Sequence, residues 1–304
     1  FFITGQHIKQ YNTIKDDLKS TGCNYFFMKG SSNSFEECKY DLAPYTIEDV
    51  VKYSKELPLI ELNASTINIK YLNELKDAGA NFSHIRISHN FYPKRYTGLD
   101  IYDVKEKNRL FKDYGLTVLA YLASNSGKRP PMYLGLPTVE DHRDMSLDLA
   151  AKELLASGCD GVCIGDAYVS EDDLNVLGNL DLEYVEIPIH VYDNISEDEM
   201  ETLKLLNRFR VDEGSYIKRG CSKLKAEIKP NNTEEVLPYM VTIDNINMKR
   251  YMGEVNIAKR ILKNDGSINI VGVVDEDAYT LVDLMNPGSK FKFKIVGTIS
   301  KNED

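Results

Sequence analysis

The chain has 304 residues, room for one large domain or two ordinary ones, and 42% of them are hydrophobic. A sizeable core can therefore be buried, and a small disulfide scaffold is excluded. Against 37 basic residues stand 47 acidic ones, for a formal charge of −10 and a pI near 5.2. Such a chain repels nucleic acid and anionic membrane, so any anion it binds must be held locally.

No apolar run approaches the roughly 18 residues of a transmembrane helix, and residues 1–10 lack the basic start and small-residue cleavage site of a signal peptide. A soluble, cytoplasmic protein is expected. Cys23, Cys38, Cys159, Cys163 and Cys221 are odd in number and form no CxxC pair. That suits reduced thiols used as core filler better than a disulfide or zinc framework.

Along the first two thirds, short apolar runs alternate with amphipathic stretches, the pattern of βα units around a parallel sheet. Strands are expected at Phe1–Thr4, Asn24–Met28, Pro58–Asn63, His84–Tyr92, Leu116–Ala123 and Gly161–Gly165. Helices are expected at Tyr45–Leu57, Ile69–Gly79, Ile101–Tyr114 and Met145–Gly158, where apolar residues recur at spacings of three and four. Thr46 with Asp49, and Ser170 with Asp173, have the spacing of helix starts.

Most strands are spaced by about 25–45 residues, close to the unit of a (β/α)₈ barrel. Only five or six units are present, and the chain opens on Phe1. The expected fold class is therefore α/β, a TIM-like barrel lacking its first strands, with a smaller open α/β sheet as the alternative. Residues 1–182 are assigned to this partial barrel.

Beyond Leu182 the composition changes. Tyr184–Val191, Tyr239–Ile243, Ile268–Val274 and Lys290–Ile299 read as strands, with turn signals at Lys229-Pro230-Asn231-Asn232, Asn264-Asp265-Gly266 and Asn286-Pro287-Gly288. A helix over Glu197–Phe209 would join the two parts. Residues 183–304 are assigned to a β-rich domain.

In a parallel barrel the reacting groups lie at the C-terminal ends of strands and in the loops that follow. Strand alternation puts Leu59, Glu61 and Asn63 on one face, so Glu61 is a candidate acid or one half of a structural pair with an inward arginine. The stretch from His89 through Asn90, Tyr92, Lys94 and Arg95 to Gly98 packs imidazole, amide, phenol and guanidinium groups behind an apolar strand. Such groups fit a polar, oxygen-rich ligand, whereas a solvated turn is the plainer reading.

The loop Ser124–Pro131 carries Lys128 and Arg129 and could cradle an anion, although the Walker order is absent. Asp166 shares a face with Val162 and Ile164 and is followed by Tyr168, giving a second strand-end carboxylate. Two such carboxylates permit glycoside hydrolysis. The histidines lack HxxxH or HxH spacing and no GxSxG elbow occurs, so neither a metal, a cofactor nor a serine triad is expected. His142-Arg143 fits a helix-start ion pair better than a pair of ligand groups.

Several blocks together resemble the bacterial 6-phospho-N-acetylmuramidase family. They are Ile60–Thr66, Gly79–Ser83, His89–Pro93 with Arg95–Leu99, Gly135–Thr138 with Glu140 and His142-Arg143, Ile164–Asp166, and Tyr251 with Gly253-Glu254. The resemblance implies a TIM-like barrel followed by a cyclophilin-like β domain, acting in the cytoplasm on peptidoglycan-derived disaccharide phosphates. It implies hydrolysis that releases N-acetylmuramic acid 6-phosphate, a small-molecule phosphosugar substrate, and neither nucleic acid nor membrane as partner.

The expected catalytic residues are Glu61 and Asp166. The expected substrate-binding residues are Asn63, His89, Asn90, Tyr92, Arg95, Arg129, Tyr168 and Arg219. Lys29 and Leu134 stand where the family usually carries acidic residues, which raises a second reading, a phosphosugar-binding member without turnover. Open strand edges would favour association, and a homo-oligomer is left open.

Overall fold

A computed structural model describes residues 2–3, 27–30, 46–57, 59–166 and 168–301. The expected strand at Asn24–Met28 lies partly outside them, as do Cys23 and Cys38. The chain forms two compact units, Phe1–Gly178 and Asn179–Asp304.

In the first unit the strands are β1 (Phe2–Ile3), β2 (Phe27–Gly30), β3 (Ile60–Asn63), β4 (Ile85–Ser88), β5 (Thr117–Leu122) and β6 (Gly161–Ile164). They pair in chain order, β1-β2-β3-β4-β5-β6, and every pair is parallel. Between them run the helices α1 (Ile47–Glu56), α2 (Ile69–Asp77), α3 (Ile101–Asp113) and α4 (Leu147–Ala156), with α5 (Glu171–Gly178) after β6.

The helix starts follow from their caps. Thr46 and Asp49 exchange side-chain to backbone bonds at 3.1 Å in each direction, while Asn68, Asp100, Ser146 and Ser170 each accept an N–H from the first turn. Two residues after α2, α3 and α4 stand Gly79, Gly115 and Gly158, all at positive φ, where a side chain would be strained.

Alternation along the strands divides the sheet into an apolar and a polar face. Ile60, Leu62, Ile85, Ile87, Val118, Ala120 and Leu122 are all buried, the side on which Val104 and Phe111 of α3 and Leu154 of α4 are buried too. The opposite face carries Glu61, Arg86, Ser88, Tyr121 and Cys163. Register places Glu61 beside Arg86 and the backbone of Lys29, and Tyr121 beside Cys163.

The second unit contains β7 (Val185–Tyr192), α6 (Glu197–Leu203), β8 (Asn207–Arg208), β9 (Ile217–Arg219), β10 (Met240–Asp244), β11 (Val255–Ala258), β12 (Ile268–Val274), α7 (Tyr279–Leu284) and β13 (Lys290–Ile299). Its seven-stranded sheet has the order β8-β13-β7-β12-β10-β11-β9. Only β13 with β7 is parallel.

The helix expected over Glu197–Phe209 ends at Leu203. Two local forces redirect the chain there. The buried Asn207 side chain accepts from the amides of Cys221 and Ser222 and donates to the Ser222 carbonyl, and Phe209 stacks on Phe291 at 4.3 Å. Strand pairing with β13 thus outweighs a helical continuation whose apolar spacing was adequate. Among the described residues no helix is long and apolar enough to cross a membrane.

Candidate functional site

The residues with chemistry gather where β3 to β6 end. Glu61, 1% exposed, accepts from Arg86 Nε at 2.7 Å and from Ser88 Oγ at 2.7 Å, so both carboxylate oxygens are engaged. Tyr121 lies on the same face, its phenol pushed up to about 12 by burial, with Glu61 and Cys163 acting in the same direction. Glu61 is thus the anchor of a polar row, with Arg86 as the inward arginine.

Asp166 organises the loop after β5. Its Oδ2 accepts the amides of Ser124 at 2.9 Å and Leu136 at 3.2 Å, and its Oδ1 that of Arg129 at 2.9 Å. Asp173 secures the same loop from α5, accepting from Ser124 Oγ and from the backbone and side chain of Asn125. Burial pushes the Asp173 carboxyl up, but these bonds and that from Ser170 outweigh it and hold the group below the usual carboxylate range.

Arg143 joins the loops after β4 and β5. Its side chain is 1% exposed. It donates to the carbonyls of Tyr92 and Lys94 on one loop, to those of Leu134 and Gly135 on the other, and to both oxygens of Glu140. Glu140 in turn accepts the amides of Tyr96 and Gly98 at 2.8 Å each.

The Arg143 guanidinium, helped by those amides against a smaller desolvation, brings the Glu140 carboxyl down to about 2. A Cβ at Gly98 would come within 2.7 Å of the Glu140 backbone, so the close approach needs glycine. The ion-pair reading of His142-Arg143 fits: Arg143 pairs with Glu140, and His142 Nε2 lies 2.8 Å from the buried Glu153.

The expected ligand-binding residues fall into three groups. Asp166, Arg129 and Tyr168 come together, Tyr168 lying over Gly127, where an added Cβ would stand 2.6 Å from its own. Arg129 and Tyr168 are exposed, and the Arg129 guanidinium makes no hydrogen bond or ion pair among the described residues. Asn63 and Tyr92 meet through Ser65, whose amide donates to Asn63 Oδ1 at 2.9 Å and whose hydroxyl is 3.4 Å from the Tyr92 phenol. Asn90 is half-buried beside them, its carbonyl accepting from Thr138.

The remaining three are placed elsewhere. His89 is fully buried on the helical side of the sheet, with Nε2 2.7 Å from Asn108 Oδ1 and its ring against Phe111. It has no surface to offer a ligand. Arg95 forms an exposed two-pronged pair with Asp144. Arg219 belongs to the second unit, where it pairs with Glu254 at 3.0 Å.

Arg86 and Ser88 escaped the sequence reading, while Glu140 entered it only within a family block and Asp173 only at a helix start. Two signals were present: Glu140 and Arg143 at a spacing of three, and Arg86 and Ser88 alternating in step with Glu61. Among the described residues no three His, Cys, Asp or Glu side chains converge as a metal would require. The resulting rim offers phenols, amides, hydroxyls and an unpaired guanidinium, a set suited to an oxygen-rich anion.

Residues 41–179 match the family model described as 6-phospho-N-acetylmuramidase, N-terminal, and residues 185–294 match the corresponding C-terminal model. A crystal structure of a conserved Enterococcus faecalis protein of unknown function is similar at 28% identity and a TM-score of 0.63, over 97% of this chain and 79% of that one. That of an uncharacterized B. cereus protein is similar at 26% identity and a TM-score of 0.74, over 97% and 89%. No curated protein matches the chain.

Proposed function

Because the chain belongs to the 6-phospho-N-acetylmuramidase family, we propose that it hydrolyses peptidoglycan-derived phosphorylated disaccharides in the cytoplasm and releases N-acetylmuramic acid 6-phosphate for cell-wall recycling. The observation that carries this reading is the match of both units to the two family models in order. The six parallel strands in chain order are read as part of a TIM-like barrel, and the second unit as its cyclophilin-like domain. Arg129, with Tyr168 and Tyr92, would hold the anionic sugar at the strand ends.

Glu61 and Asp166 remain the proposed catalytic carboxylates. Each would have to exchange a present hydrogen bond for one to substrate. That same engagement favours a second reading, in which the chain binds phosphosugar without cleaving it.

Release of N-acetylmuramic acid 6-phosphate from the phosphorylated disaccharide, with calorimetry on the same sample, separates the two. Turnover that falls by about 10²-fold or more in Asp166→Asn or Glu61→Gln, with binding kept, supports hydrolysis. Binding without turnover in the unsubstituted chain supports the second reading.

A further inference from the structure

The second unit holds a charged cluster around Arg219, a residue expected to bind substrate that the strand-end site proposed above does not include. β10 and β11 are antiparallel with Ile243 opposite Val255, so the next pair outward is Asp244 and Glu254. Their backbones stay joined, Asp244 N donating to Glu254 O at 3.0 Å and Gly253 N to Asp244 O at 2.8 Å. Two carboxylates directly across a strand pair repel one another. Register then sets Thr242 opposite Asn256 and Asn256 opposite Arg219, so Asp244, Glu254, Asn256 and Arg219 share one face.

On that face Arg219 Nη2 donates to Glu254 Oε2 at 3.0 Å, and Asn256 Nδ2 to Asp244 Oδ1 at 3.3 Å. Asp244 is only 7% exposed, yet among the described residues its second oxygen has no hydrogen bond. The buried Asn256 Oδ1 beside it has none either. Nearby, the Tyr251 ring has the Arg219 guanidinium 5.8 Å from its centroid and that of Arg250 at 4.7 Å. Lys223 Nζ donates to the Arg250 carbonyl at 2.6 Å.

Arg219 thus pairs with Glu254, Arg250 shares the Tyr251 ring with Arg219, and Lys223 reaches the Arg250 carbonyl. Neither Arg250 nor Lys223 has a carboxylate partner among the described residues. Burial pushes the Asp244 carboxyl up to about 7, with Glu254 adding to the rise and Arg219 and Lys223 opposing it. On β12 its neighbour is the uncharged Ile268. Below about pH 7 Asp244 is thus mainly a hydroxyl donor, beneath a rim in which two cations lack a carboxylate partner among the described residues.

We propose that Arg219, Lys223, Arg250 and Tyr251, over the buried Asp244 and Glu254, form an oxyanion site that takes the carboxylate or phosphate group of a small ligand. The inference goes beyond the hydrolytic reading and does not depend on it. Lactate and sulfate are suitable probes, since both keep their charge from pH 5.5 to 8.5. Calorimetry on the full chain would be paired with amide shifts at Gly253 and Glu254.

The expected result is binding of at least one anion at pH 5.5 with shifts at those amides, about tenfold weaker at pH 8.5 once Asp244 is ionised. Lactate alone identifies a carboxylate ligand, sulfate alone a phosphate-like one, and both a general oxyanion site. Asp244→Asn should bind equally at the two pH values. Arg250→Gln, an exposed change that spares the fold, should weaken binding at both. If neither anion moves those amides at pH 5.5, or if the unsubstituted chain binds equally at pH 5.5 and 8.5, the site does not exist as described. Loss of turnover in a chain that still binds either anion would refute only the hydrolytic reading.

Discussion

Acidification should destabilise the first unit through His89. Asn108 Nδ2 is committed to the Ser157 carbonyl at 3.1 Å, so Asn108 Oδ1 faces the imidazole and the neutral ring carries its proton on Nε2. Nδ1 is buried without a partner. A second proton there would create a charge with no acceptor. Burial accordingly pushes the imidazole down to about 4, the Asn108 bond resisting and Lys107 assisting.

The unfolded chain takes up this proton near 6.5 and the folded chain only near 4, so stability is full above about pH 6.5 and falls as the pH drops toward 4. A difference of about 2.5 units corresponds to about 3 kcal/mol across that window. Urea unfolding over pH 4–7 would measure it against His89→Gln, which keeps a donor for Asn108 and removes the titration. The stability difference between the two proteins should shift by about 3 kcal/mol in favour of the variant as the pH falls. A constant difference, or an imidazole resonance titrating near 6.5, would refute the reasoning.

Asp244 should act in the opposite sense. Its folded value lies above the unfolded one, so its contribution is full below about pH 3.8 and is lost as the pH rises through about 7, amounting to at most about 4 kcal/mol; comparison with Asp244→Asn by thermal unfolding reads it. Arg143→Met should cost about 3–5 kcal/mol, because it leaves Glu140 and four carbonyls without their donor. Hydrogen exchange at Tyr96 and Gly98 should quicken in the same variant, and unchanged protection there would argue against the joint between the loops.

Strong periodicity made the first unit legible. The helices expected at Ile69–Gly79 and Ile101–Tyr114 end within two residues of the observed termini, because apolar spacing, caps and glycines agree there. β9 and β11 carried no comparable signal, since three or four residues hold too little alternation to stand out. In the site, the density of polar groups behind β4 marked the right loop but not each residue's direction. Ser88 and His89 are adjacent, so they face opposite sides of the sheet, and only the pairing register shows which looks toward Asn108. Glu61 was readable as half of an ion pair, whereas the use of Asp166 on three amides depends on a loop path that no local pattern encodes.

The two sheets also differ in when each can be completed during synthesis. In the first unit every strand joins the one made before it, so the growing chain can add strands at an edge as it leaves the ribosome. In the second, β13 is the last strand along the described residues yet lies between β8 and β7. Its slot stays open until Lys290–Ile299 has emerged, and β7, made about a hundred residues earlier, must wait with an unpaired edge. Ribosome stalling before that segment would therefore expose a sticky strand in the second unit while leaving the described strands of the first already paired.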